Sequence, residues 1–457
     1  MRCILVAAVL VALGSVSIPA RAAVITDVQS SFDENDPFDI RLTIGYELHS
    51  WNTLITREDF DHHQLVYGNK LEFTRMWHEL HIGTAIGLYQ DLELVVDLPI
   101  IFSDVSKLGI HPQVSGAAAC ADPYKCIGDV DKSASTFAEN EGANTMSLFD
   151  VPFTGATRGG LGDLGLGLRF APWTWARDHQ YPTWVLGVMF RIPTAEVRKV
   201  GNTGVGEGVF GVDINTAISR RVASFIEPYF DLHGNLRFAT SKSLFNMVND
   251  ETQTLEQPGH RMGLKLGLEF IPWEVEADEK HVSIDIGGGL DYTFEGREYS
   301  ELFEALGSST CRTTNGCWDS TYTGAPKGAG QYGQKLSDSD AHKFAASDGI
   351  TDVEHYNSFS FWAGVDVQPV KYVQIGLKFN LAYTTPHFIT FSDAGKDLNG
   401  DGVVTEKALI GYNEKKEPIY TNEYNPKYIE GLDEVGNRFR ASRTIQWATM
   451  FNLSGRF

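Results

Sequence analysis

Residues 442–457 read Ser-Arg-Thr-Ile-Gln-Trp-Ala-Thr-Met-Phe-Asn-Leu-Ser-Gly-Arg-Phe. Ile445, Trp447, Thr449, Phe451, Leu453, Gly455 and Phe457 fall on one side of an extended strand. Thr444, Gln446, Ala448, Met450, Asn452, Ser454 and Arg456 fall on the other. Side chains alternate across a strand, so the stretch carries one oily face and one mixed polar face, and it stops on an aromatic of the oily face. No downstream segment is expected to cover that row. The fold turns on whether the rest of the chain repeats the pattern.

The pattern recurs from Phe38 onwards. Phe38 to Trp51 sets Phe38, Ile40, Leu42, Ile44, Tyr46 and Leu48 against Asp39, Arg41, Thr43, Glu47 and His49. Further strands are expected at 75–89, 92–103, 162–171, 183–192, 209–219, 225–235, 260–270, 281–295, 356–367 and 372–384. With 442–457 these make twelve, each long enough to cross a bilayer when tilted, which takes about 9–11 residues. The links alternate. One set is short (90–91, 172–182, 220–224, 271–280 and 368–371), and the other includes excursions at 104–161, 296–355 and 385–441. Short periplasmic turns opposite long outer loops are the asymmetry of membrane barrels. A secreted stack of β-sandwiches has no reason to alternate in this way, and it would not place charge on the second face of most strands. The expected fold is therefore all-β, a 12-stranded antiparallel up-and-down transmembrane β-barrel with long extracellular loops. Residues 442–457 resemble the closing strand of bacterial outer-membrane barrels, which characteristically end in Phe. Gly-Leu-Arg-Phe-Ala-Pro-Trp at 167–173 recurs as Gly-Leu-Glu-Phe-Ile-Pro-Trp at 267–273, which predicts two equivalent strand-to-turn corners.

Residues 1–22 have the form of a secretory signal: Arg2, an apolar run from Ile4 to Leu13, then Ala20-Arg21-Ala22 as a small-x-small cleavage site. Residues 23–36 are expected to be a periplasmic N-terminal segment and 37–457 the barrel. The net charge of −21 argues against nucleic-acid partners, which call for basic patches. The lipid of the outer membrane and a small solute are the expected partners. Cys3 leaves with the signal; Cys120, Cys126, Cys311 and Cys317 form two short pairs expected to be disulfides, with the local connectivity the simplest.

Gly87-Leu88-Tyr89-Gln90-Asp91-Leu92-Glu93-Leu94 runs into Leu98-Pro99. It is followed by Gly160-Leu161-Gly162-Asp163-Leu164-Gly165-Leu166-Gly167-Leu168-Arg169, by Arg191-Ile192-Pro193-Thr194, and by Gly204-Val205-Gly206-Glu207-Gly208. These pieces, covering about a third of the chain, resemble outer-membrane transporters named for the meta-cleavage pathway of phenol degradation. That group is related in style to fatty-acid and hydrocarbon channels. The family pattern has Gly after Pro-Thr, where this chain has Ala195. The resemblance implies a barrel with a transport-like role and transfers no substrate.

Ionisable groups at membrane depth must face water or one another. The residues expected to line the lumen are Arg41, Glu47, Glu79, His81, Asp97, Asp163, Arg169, Arg191, Asp213, Glu227, Asp231, Arg261, Lys265, Glu269, Asp285, Asp291, Asp366 and Lys378, with His49 and His233 beside them. They make either a polar channel or a lumen shut by ion pairs. Asp397, Asn399, Asp401, Val403 and Thr405 have the spacing of a calcium loop, so Ca2+ in residues 397–408 is the one cofactor candidate. Position 12 is Ala408 rather than the usual Glu, and the alternative is a metal-free Asp/Asn/Gly turn. No Ser/His/Asp grouping accompanies His62, His63, His78 or His81, so no enzyme activity is expected. The function expected is passive uptake of small solutes, hydrophobic or aromatic ones among them. The alternative is a non-transporting surface barrel whose disulfide- and calcium-braced loops bind a partner.

Overall fold

The computed structural model describes residues 23–33, 36–61, 64–112, 151–175, 177–246, 257–275, 279–308, 349–404, 408–421, 423, 425 and 427–457. The signal-like residues 1–22, all five cysteines, His62, His63 and Thr405 lie outside them.

Twelve strands form the barrel. They are β1 (Ile40–Asp61), β2 (Gln64–Tyr89), β3 (Leu92–Ile110), β4 (Leu164–Trp173), β5 (Thr183–Ile192), β6 (Val209–Ser219), β7 (Ile226–Ala239), β8 (Arg261–Val275), β9 (Lys280–Thr293), β10 (Tyr356–Val370), β11 (Val373–Thr384) and β12 (Phe439–Arg456). Each pairs antiparallel with its sequence neighbour, and β12 closes the ring against β1, from Arg456↔Arg41 up to Phe439↔Arg57. Closure leaves no open edge, which is what lets a sheet lie in hydrocarbon. Outward rows such as Leu42, Ile44, Leu166, Leu168, Phe170, Leu266, Leu268, Phe359, Phe361, Leu377, Phe379, Phe451 and Leu453 are exposed, while charged groups face in. A ring greasy outside and polar inside is the form in which proteins span the bacterial outer membrane, and the chain is an outer-membrane β-barrel.

The short turns fall at one end, and aromatic rings gather there. Trp173 packs against Tyr181 and Trp184 with ring centroids 5.7 and 5.0 Å apart. The repeated corners are alike: the ladder slips between Phe170 and Trp173 in one and between Phe270 and Trp273 in the other. Each slip contains the proline, which has no N–H to give to a ladder.

At the opposite end β1, β2, β3 and β12 outrun the expected strands, and there their two faces exchange character. Ile55, Leu71, Phe73, Leu108, Phe439 and Ala441 point inward and are buried, whereas Asn52, Glu72, Thr74, Lys107 and Arg443 are exposed outside. Above the membrane the outside is water and the inside is dry, so the alternation must invert. Leu302, Ala305 and Leu306, around the short helix α1 (Phe303–Ser308), join this cluster with Ile389, Ile429 and Leu432. Together they cap the barrel.

Gly287-Gly288-Gly289, a candidate kink for an opening in the wall, is hydrogen-bonded in unbroken register on both sides. A Cβ on Gly287 would fall 2.3 Å from the Trp362 ring. The run makes room for a lumen side chain.

Candidate functional site

The inward rows form three tiers. At the periplasmic end, residues 23–31 cross the mouth of the barrel. Ala23 N donates to Glu227 Oε1 at 2.8 Å, Val24 N to Glu269 Oε2 at 3.3 Å and Gln29 N to Glu93 Oε2 at 2.6 Å. Arg169 donates to the carbonyls of Ile25 and Asp27, at 2.8 and 3.0 Å, and pairs with Glu93 at 2.7 Å. Arg41 holds Asp27 at 2.9 Å, and Arg456 pairs with the same carboxylate. Beyond one 3-10 turn at Val24–Thr26, the segment has no regular structure until Ser31. It is held by charge-assisted hydrogen bonds to side chains that the strand pattern had already turned inward.

A belt of polar groups follows the wall. Glu47 pairs with His49 at 2.7 Å, and His81 lies 3.3 Å from both Glu79 and Asp97. Arg191 links Asp97 (3.5 Å) to Asp213 (2.8 Å), and Asn235 donates to Asp213. His233 sits between Asp231 and Asp291, its two ring nitrogens 2.8 and 2.7 Å from their oxygens. Such bonding between neighbours holds charged side chains against the wall.

Between the floor segment and the outer cap, beside this belt, lies a chamber of about 910 Å³. Val24 and Ile25 border it below, and Tyr299, Ser300, Glu301, Val353 and Ile389 above. Lys378 Nζ lies 3.0 Å from Asp285 Oδ2 and 5.0 Å from the centre of the Trp362 ring. Tyr229 donates its hydroxyl hydrogen to Asp285 at 2.5 Å and accepts from Trp362 Nε1 at 3.1 Å. Arg261, Lys265, Glu269, Asp285, Asp291, Asp366 and Lys378 all border this space. Asp366 accepts from Gln374 Nε2 at 3.4 Å.

The outer cap carries its own ion pairs. Asp104 binds Arg75 at 2.7 Å and Arg198 at 2.6 Å. Arg237 pairs with both Glu207 and Glu298, and Arg158 with Glu304. Buried Arg297 and Asp352 meet at 3.0 Å, and Ser392 Oγ donates to Asp352 at 2.6 Å. Burial among guanidinium neighbours lowers Arg198 to about 10. Burial raises Glu301, whose carboxylate accepts from Thr53.

Asp163 serves the rim. Its Oδ1 accepts from Ala195 N at 3.0 Å, while Thr194 Oγ1 accepts from Leu164 N at 3.0 Å and donates to the Gly162 carbonyl at 3.2 Å. The Gly-Asp-Leu and Pro-Thr pieces of sequence therefore meet as one strap joining β4 to β5. In residues 397–404 the oxygens serve the loop's own amides. Asp397 accepts from Gly400 N and Gly402 N at 2.6 and 2.8 Å, and Asp401 Oδ1 from Val403 N at 2.8 Å. Gly400 and Gly402 adopt φ of +77° and +86°. Among the described residues no group of three or more His, Cys, Asp or Glu side chains is gathered as a metal site.

Several lumen residues escaped the sequence. Glu93, Tyr229 and Trp362 sit on inward parity, which was the available signal for them. Asp27, Arg198 and Glu207 lie in irregular segments that give no such signal.

No protein-family model matches the chain, and no curated protein matches it. Among solved structures it is similar to an outer membrane channel from Pseudomonas putida F1, at 10% identity over 91% of this chain and 95% of that one, with a TM-score of 0.38. It is also similar to the TodX monoaromatic hydrocarbon channel, at 7% identity over 92% and 91%, TM-score 0.32. A third likeness is to the outer membrane protease OmpT of Escherichia coli, at 10% identity over 92% and 98%, TM-score 0.29.

Proposed function

We propose that the protein is a passive outer-membrane channel that holds a small solute in its central chamber on the way to the periplasm. The chamber itself carries this reading: about 910 Å³ of open space inside a closed barrel. That lies within the range of small-molecule sites, roughly 300–1,000 Å³. Trp51, Trp77, Tyr229, Tyr299, Tyr356 and Trp362 border it, which supports a solute with an aromatic or hydrophobic body. The charges support an anionic group on that body. Every carboxylate on the chamber wall accepts a hydrogen bond from a described residue. Arg261 and Lys265 make no hydrogen bond or ion pair with one.

Planar-bilayer recording of the purified protein tests the channel. Single-channel steps, with benzoate flux exceeding benzylamine flux, are expected. Absence of both conductance and solute flux would favour a non-transporting surface barrel.

A further inference from the structure

Two buried acids at the periplasmic mouth have no cation paired with them among the described residues. Glu227 on β7 and Glu269 on β8 stand directly opposite one another in the ladder, and both are buried. Neither forms an ion pair with a described residue. Like charges facing across a strand pair are unfavourable, and a buried carboxylate without a counter-charge more so. Glu227 Oε1 accepts from Ser219 Oγ at 2.6 Å and from Ala23 N at 2.8 Å, while its buried Oε2 has no hydrogen-bond partner. Glu269 Oε2 is within 3.3 Å of Val24 N. Ala23 is itself buried. The nitrogen that reaches these acids belongs to the residue immediately after Ala20-Arg21-Ala22, the small-x-small end of the signal-like stretch.

We propose that hydrolysis of the Ala22–Ala23 peptide bond creates the cation for which this pocket is built. Water supplies a hydroxyl to the Ala22 carbonyl carbon, and a leader peptidase of the export pathway catalyses the cleavage. The released Ala23 amine takes up a proton and becomes an ammonium. An amide N–H is a single neutral donor, already spent on Oε1. An ammonium has three N–H donors and a full charge, enough to serve both oxygens of Glu227 and to offset Glu269. The processed N-terminus thereby pins residues 23–31 across the mouth, so maturation and closure of the barrel are one event. The proposal rests on the position of this segment and not on what the chamber carries.

Protein isolated from outer membranes should begin at Ala23 by N-terminal sequencing; any other start overturns the proposal. In the folded protein the α-amine should react with acetic anhydride about tenfold more slowly than in the urea-unfolded chain, because it is buried and protonated. Glu227→Gln should restore most of that reactivity. A Gly inserted between Ala22 and Ala23 moves the ammonium by one residue, about 3.5 Å, and should do the same. Equal labelling of folded and unfolded native protein overturns the proposal, as does protection unchanged in both variants. Retention of the SDS-resistant barrel band shows that each variant is folded. Labelling and sequencing read the pocket whether or not the protein conducts, so a failed channel assay leaves this test intact.

Discussion

The two ends of the barrel are closed by different physics. The floor is one short segment, residues 23–31, held almost wholly by hydrogen bonds and ion pairs to Glu93, Arg169, Glu227, Glu269, Arg41 and Arg456. The roof is a packed apolar core built from the strand extensions, α1 and Ile389, Ile429 and Leu432, with ion pairs buried around it. Polar contacts can be exchanged for water at little net change in free energy, because each lost bond is replaced by a hydrated one. An apolar core has no such substitute. The floor is therefore expected to open more readily than the roof.

The comparison breaks most sharply if the floor is removed. Deletion of residues 24–31 should convert a protein with rare openings in a planar bilayer into one that conducts continuously; unchanged openings would make the roof the limiting barrier. At the roof, Phe439→Ala should cost about 3–5 kcal/mol, measured by urea unfolding in detergent, because the ring is fully buried in the capping cluster. Glu58→Gln breaks a buried pair with Arg438, two bonds at 2.8 Å, and should weaken the roof by a comparable or smaller amount. Conductance should change little in either as long as the barrel stays folded.

The gentlest probe is pH. Burial raises the Asp433 carboxyl to about 8, with Asp352 nearby adding to the effect and Arg297 opposing it. Its unfolded value is near 4, so the folded roof holds this proton more tightly. That contribution is fully present below about pH 4 and is lost as pH rises through about 8. Burial lowers His387 to about 4 against Glu354, which acts to raise it. Its contribution is fully present above about pH 6.5 and is lost as pH falls through about 4. Between pH 6.5 and 8 only Asp433 of the two titrates appreciably, so the roof should loosen as pH rises. Amide exchange at residues 389–392 and 429–433, corrected for intrinsic rates, should accelerate over that window, and Asp433→Asn should flatten the dependence.

How much of this is legible in the sequence follows from the same contrast. Strands inside the membrane obey one rule, oily out and polar in, so β5 and β6 begin and end at the expected residues and all twelve strands are found. The rule fails at Trp51. Trp51, Thr53 and Ile55 continue the inward row as its polarity changes, and a pattern that changes sign resembles a pattern that stops. The roof escapes for another reason. Leu302, Ile389 and Leu432 sit in turns or one-turn helices far apart in the chain, too short to show a period, and are gathered only by the tertiary fold. Residues 23–31 show no alternation; of the side chains that receive them, Arg41, Arg169, Glu227 and Glu269 were visible beforehand and Glu93 was not. The chamber is a property of enclosure. Arg261, Lys265 and Lys378 were assignable to the inside, but which of them finds an acid depends on glycines. A Cβ on Gly263 would lie 2.3 Å from Asp291 and 2.7 Å from His233, so that glycine lets the two meet over β8 while Lys265 is left aside.

The exchange of faces along β1, β2, β3 and β12 also works as a depth gauge written into the chain. A single kind of substitution, apolar to charged, should be rejected at Ile44 on the lipid side, yet a few turns of pleat higher the outer surface already carries Asn52 and Glu72 while Ile55 and Leu71 require dryness within. Where the two rows trade places, the protein declares the level of the bilayer surface. Shifting that crossover by two residues would raise or sink the whole barrel by roughly 5 Å, given a rise of about 3.3 Å per residue and a tilt near 40°.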